Sequence, residues 1–217
     1  LTAALSFLLV TALVRDPAVP ETDAGNSLGG VAVFDRSGSG TFDPVFVLGV
    51  VSFFMAVGIA LFATLGDIIN ARLDQGPTLF GLQFAAFILA QVLLQAPIGR
   101  ATDFYGRKRF ILIGMIVLVP TTFVQGLIYD PWVMFAARFA QGVAGAMVFA
   151  PALALAGDLA PAGRSGTTLS VLTMAFGYGV AVGPLASGFL VAYGFVVPFA
   201  LGAVLAAIGA VLVWTQV

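Results

Sequence analysis

Apolar residues fall into six long runs separated by short polar breaks, at roughly 44–66, 78–98, 109–129, 131–157, 166–192 and 195–215. A helix needs about 20 apolar residues to cross the hydrocarbon layer, so each run has the length of one span. The breaks carry charge or turn residues: Asp67 to Pro77, Gly99 to Arg109, Asp130-Pro131, Asp158 to Gly166 and Tyr193-Gly194. Strands of a membrane barrel alternate in polarity and are about half as long, so these runs do not fit them. The pattern predicts an all-α polytopic membrane protein, with six transmembrane helices in residues 44–217. Three crossings reverse the chain direction, so the bundle reads as a 3+3 inverted repeat.

Residues 1–14 (LTAALSFLLVTALV) are apolar but too short to span, and lack the basic flank of a signal peptide. They read as the end of a preceding transmembrane helix. Residues 15–43, rich in Gly, Pro, Ser and Asp, read as an interdomain linker.

Composition sharpens this picture. The chain is 60% hydrophobic and 9% charged, against about 45–50% and about 25% in soluble domains. With no Cys and no His, zinc sites, thiol nucleophiles, disulfides and His-based acid/base pairs are excluded, and no metal or cofactor is implied. Ten acids against nine bases, without a basic block, give no support for a nucleic-acid partner.

The nine cations are unevenly placed. Arg15, Arg36, Arg100, Arg107, Lys108, Arg109 and Arg164 lie on one side, Arg72 alone on the other, and Arg138 inside a span. This asymmetry places the linker, the 99–109 loop and the C-terminus in the cytoplasm.

Three segments carry candidate function. In the 99–109 loop, Gly99 and Gly106 suit tight turns or close helix approach. Asp103, among the cations Arg100, Arg107, Lys108 and Arg109, either forms local ion pairs or sits at a helix N-terminus; the cluster also reads as a plain positive-inside anchor. In the fourth run, Arg138 precedes Gln141, Gly142 and Gly145. A charge at this depth costs at least about 2.5–3.5 kcal/mol, which marks it as functional unless it snorkels outward or pairs with an acid such as Asp67. In the fifth run, Gly179, Gly183, Pro184, Ser187 and Gly188 give a smooth face interrupted by a proline that bends the helix.

In this order and spacing the three segments resemble the motifs of the Major Facilitator Superfamily, in its drug/proton antiporter-like branch. The loop matches G-x-x-x-D-x-x-G-R-K, with Phe104 where a basic residue is usual and Ala101 where a larger apolar one is common. The fourth run matches R-x-x-Q-G-x-G, and the fifth matches G-x-x-x-G-P-x-x-G-G with Ser187 in place of one Gly. Pro198-Phe199 resembles the opening of the last helix of a half.

The resemblance implies twelve helices in two halves about a central cavity, in a prokaryotic cell membrane. Residues 44–217 would be the C-terminal half, with an N-terminal six-helix half as its partner. Asp103 would latch onto a helix N-terminus of that other half. The implied activity is alternating-access efflux of a small hydrophobic or amphipathic solute, with a proton gradient as the energy source. The spans from residue 44 onward hold no central Asp or Glu, so a coupling carboxylate would lie in the other half, or the protein is a uniporter. Sugar and metabolite carriers share this fold. A non-transporting receptor or scaffold is the rival, whereas an intramembrane enzyme lacks a buried Ser/His, Asp pair or metal cluster.

Gln83, Gln91 and Gln95 share one helix face, which lines a cavity or bonds between helices. Met55, with Phe53, Phe54 and Phe62, forms an adaptable apolar wall or meets lipid. Met55, Gln91 and Gln95 are the candidate cavity-lining residues.

Overall fold

Asp43 starts the bundle. Its backbone is extended and its carboxylate accepts the N–H groups of Val45 at 2.8 Å and Phe46 at 3.4 Å. Pro44 takes the first helical position, where its missing N–H costs nothing. In the computed structural model, residues 33–34, 41–161 and 164–217 are described. The expected preceding helix at 1–14 and most of the expected linker, with Arg15 and Arg36, lie outside them.

The helices are α1 (Pro44–Ala60), α2 (Gly66–Arg72), α3 (Pro77–Tyr105), α4 (Arg107–Phe123), α5 (Pro131–Leu159), α6 (Ser165–Leu190) and α7 (Val196–Gln216). Helices α3 to α7, α4 and α6 together with the short 3-10 turns that follow them, are long and apolar enough to cross a membrane. With 17 residues, α1 spans only about 25 Å.

Two boundaries correct the sequence reading. The first run does not continue as one helix to residue 66; it turns at 61–64, and α2 forms where only a polar break was expected. The turn brings Phe62, Leu65 and Ile69 inward, where they pack with Ile128, Met134 and Phe199. The expected 99–109 loop is almost entirely helical. Nothing between Gly99 and Tyr105 breaks α3, and the whole connection is Gly106, at φ 91° and ψ 130°. Only glycine adopts such a backbone cheaply. Gly99 lies within α3, where a side chain would face open space, so it serves neither a turn nor a close helix approach; its carbonyl accepts the Thr102 hydroxyl at 2.7 Å.

The packing repeats between triplets. α1 packs on α6 as α5 packs on α3; α1 meets α7 as α5 meets α4; and α4 and α7 pack on each other. Exchanging α1, α3, α4 with α5, α6, α7 maps the first four of these pairings onto one another and the α4–α7 pairing onto itself. That is the contact pattern of the expected 3+3 repeat. The main core lies between the triplets, around Leu48, Val51, Met55, Met115, Val148 and Val213.

Side chains also define the two ends. At one, Gln216 Oε1 accepts the N–H groups of Thr41 and Phe42, and Lys108 Nζ donates to the Trp214 carbonyl at 3.3 Å. Arg100, Arg107, Lys108, Arg109 and Arg164 belong to this end. At the other, Arg72 Nε donates to the Ile128 carbonyl at 3.4 Å, and its guanidinium lies over the rings of Tyr129 and Phe195.

Candidate functional site

Arg138 lies about two turns into α5 and is fully buried, with 0% of its surface exposed. It neither snorkels nor pairs with Asp67: among the described residues the ion pairs all involve Arg107. Instead Arg138 Nη1 donates to Gln141 Oε1 at 2.5 Å, one helical turn on. Three phenylalanine rings surround the guanidinium, with centroids 4.2 Å (Phe62), 4.8 Å (Phe87) and 5.8 Å (Phe84) from its central carbon.

Gln141 is held from both ends of its amide. Gln125 Nε2 donates to Gln141 Oε1 at 2.9 Å, while Gln141 Nε2 donates to Thr122 Oγ1 at 3.0 Å and reaches the Gly58 carbonyl at 3.4 Å. Gln125 is anchored in turn on the Thr121 carbonyl at 2.7 Å. The network thus ties α1, the end of α4 and α5, and it aims an oxygen rather than an amide N–H at the arginine. Arg138 Nε and Nη2 have no hydrogen-bond partner among the described residues. A buried polar group left so is costly, and a cation more so.

The glycines of the motifs make helix contacts. A Cβ at Gly142 would collide with the Phe87 carbonyl and stand 2.8 Å from Ala90 Cβ, so α5 and α3 touch backbone to backbone there. Gly145 faces the Phe87 ring at an ordinary 3.6 Å. On α6, Gly179 meets Phe53 and Ala56 of α1, and Gly183 meets Val57 and Ala60. Ser187 is buried; its Oγ lies 2.5 Å from Thr64 Oγ1 and 3.1 Å from the Pro184 carbonyl. Gly188 faces open space.

At the charged end, Arg107 gathers what the sequence placed near it. Its Nη1 is ion-paired with Asp158 and donates to the Ala154 carbonyl, and its Nη2 lies 3.3 Å from Asp103 Oδ1. Arg107 therefore fastens the α3–α4 junction to the last turn of α5, and Asp103 is in a local ion pair. Arg109 is exposed.

The glutamine stripe divides. Gln83 is buried, bonded to Gln75 and to the Pro131 carbonyl at 2.9 Å, so it ties helices at the α2 end. Gln91 and Gln95 are half-buried. Met55 is 1% exposed and sits in the core, which closes it off from any open face of the bundle. Phe53 instead helps line an open, wholly apolar groove of about 450 Å³ between α1 and α6, with Ala175, Tyr178 and Val182. Sequence reasoning passed over Thr122 and Gln125. The signal was present as polar residues in T-T-F-V-Q near the end of an apolar run.

Comparison with known proteins places these features in a family. Residues 45–217 match the family model of the Major Facilitator Superfamily. The chain is 29% identical over 148 residues to the probable actinorhodin transporter of Streptomyces coelicolor, covering 63% of this chain and 26% of that protein. It is 27% identical over 131 residues to multidrug resistance protein 2 of Bacillus subtilis, covering 60% of this chain and 33% of that one. It is also 27% identical over 138 residues to the class H tetracycline resistance protein of Pasteurella multocida, covering 62% and 34% respectively. The matched regions span about a quarter to two-fifths of the relatives' lengths. With an all-helical bundle of membrane-crossing length and a family match over most of its residues, the chain belongs to the Major Facilitator Superfamily, whose members are multi-pass membrane transporters.

Proposed function

We propose that residues 44–217 form the C-terminal half of a proton-coupled efflux transporter for a small hydrophobic or amphipathic solute. The observation that carries this reading is Arg138: a charge buried inside a membrane bundle without an acid is costly, which marks it as functional. The relatives' names speak of multidrug and antibiotic resistance, and the apolar α1/α6 groove suits a hydrophobic solute. The apolar run at 1–14, followed by the Gly/Pro/Ser/Asp-rich stretch at 15–43, supports the C-terminal assignment. The five described cations at the Gln216 end support a cytoplasmic position for that end.

The halves then rock about a site between them, and the α3–α4 junction stabilises one state. Asp103 acts as its latch, exchanging its local pair with Arg107 for a helix N-terminus of the other half. The described acids, Asp43, Asp67, Asp74, Asp103, Asp130 and Asp158, all stand at or near helix ends. That distribution supports a coupling carboxylate in the partner half, and equally a second reading as a uniporter. Dye retention in cells expressing the full-length protein tests both. Antiport predicts low retention that rises when a protonophore is added. Export that ignores the protonophore supports the uniporter, and retention equal to that of cells lacking the protein contradicts both.

A further inference from the structure

The two unpartnered nitrogens of Arg138 are not an arbitrary pair. In a planar guanidinium, Nε–H and the neighbouring N–H of Nη2 point the same way along one edge. Two parallel N–H bonds of this kind match the two oxygens of a carboxylate. The opposite Nη1 side is taken by Gln141, whose amide is fixed by Gln125 and Thr122. Phe62 and Phe87 cover the guanidinium with their rings. What remains for a ligand is the in-plane Nε/Nη2 edge.

The surroundings narrow the ligand. The other described cations, Arg72, Arg100, Arg107, Lys108, Arg109 and Arg164, all belong to the ends of the bundle, so a single positive charge is available and a monoanion balances it. The phenylalanine walls offer no hydrogen bonds and favour an apolar body behind the charged group. Phe84 is the outermost of the three rings, 37% exposed against 0% for Phe62 and 1% for Phe87. Of the three rings it is the one that the surroundings reach.

We infer that the Nε/Nη2 edge of Arg138 is a subsite for one carboxylate, supplied by a transported solute with an apolar body and admitted past Phe84. This inference rests on the transporter reading and names a substrate class for it. The same chemistry has a second source, an Asp or Glu side chain elsewhere in the full-length protein, and the test separates the two.

The test is calorimetric binding of benzoate and of its neutral isostere benzamide to the full-length protein in detergent, for the unsubstituted protein, Arg138→Lys and Arg138→Met. Arg138→Lys keeps the charge if Arg138→Met fails to fold. A solute carboxylate predicts benzoate binding about tenfold or more tighter than benzamide, since hydrogen bonds to charged groups contribute at least this much. That preference shrinks in Arg138→Lys, which lacks the parallel edge, and vanishes in Arg138→Met. A side-chain source predicts equal binding of the two probes and a new protonated-carboxyl infrared band in Arg138→Met, as the orphaned acid takes up a proton; this result overturns the solute assignment. Equal binding with no such band overturns the carboxylate subsite altogether. Efflux of a neutral dye, measured alongside, tells this failure from failure of the transporter reading.

Discussion

Gly179 of α6 lies against the carbonyl oxygen of Phe53 in α1, so closely that a Cβ at Gly179 would stand 2.5 Å from that oxygen. Four residues on, a Cβ at Gly183 would stand 2.7 Å from Ala60 Cβ. Both obstacles are backbone or the first side-chain carbon, which cannot swing aside. Gly179→Ala and Gly183→Ala are therefore expected to push α1 and α6 apart and cost about 1–3 kcal/mol each. Gly177→Ala on the same helix meets open space and should change stability by less than about 0.5 kcal/mol. Thermal unfolding in detergent checks the contrast.

The hydrogen bond between Ser187 and Thr64 sits where the family motif has glycine. Ser187→Gly restores the motif but leaves Thr64 Oγ1 without that partner. The expected loss is about 1 kcal/mol, readable in the same unfolding series. Thr64→Val should lose a similar amount, and the double variant less than the sum, because both changes remove one bond.

These glycines also show how far the sequence could be read. Small residues four apart on an apolar run signal close packing directly, and Gly179, Gly183 and Gly142 all make it. The six runs likewise located the helices, because the bilayer leaves few ways to satisfy the backbone. The sequence misled where local and tertiary effects compete. Polar and charged residues at 99–105 read as a loop, yet α3 continues through them as its end emerges at the charged face, and Gly106 alone breaks it. Met55 read as a cavity residue because nothing in an all-apolar helix marks which side faces its neighbours. Gln125 and Thr122 escaped notice because their role depends on Gln141, which is distant in sequence and adjacent only in the fold.

Gln125 gives a prediction of its own. Gln125→Leu removes the donor that fixes the Gln141 amide, so Gln141 can rotate and Arg138 loses its aligned acceptor. Stability should fall by about 1–3 kcal/mol, and solute export should fall with it. Gln125→Asn, which keeps the amide on a shorter arm, should recover part of the export. Equal export by the unsubstituted protein and Gln125→Leu would remove Gln125 from the positioning of Arg138.

Arg107 links Asp103 and Asp158, whose side chains are 61% and 59% exposed against 23% for the arginine. Exposure limits what such a pair contributes. A double-mutant cycle of Arg107→Ala and Asp158→Ala should give a coupling of about 0.5–1 kcal/mol, shrinking as salt is raised. A coupling near zero, with Arg107→Ala alone still destabilising, would mean that Arg107 acts mainly through its hydrogen bond to the Ala154 carbonyl.

The central claim is that this bundle works as half of a gradient-driven carrier, with Asp103 and Arg138 as functional charges. Flux of a hydrophobic solute into proteoliposomes holding the full-length protein, with and without an imposed proton gradient, addresses it most directly. The predicted result is flux that follows the gradient and falls about tenfold or more in Arg138→Ala and Asp103→Asn. Saturable solute binding without flux, or unsubstituted rates in both variants, would contradict it.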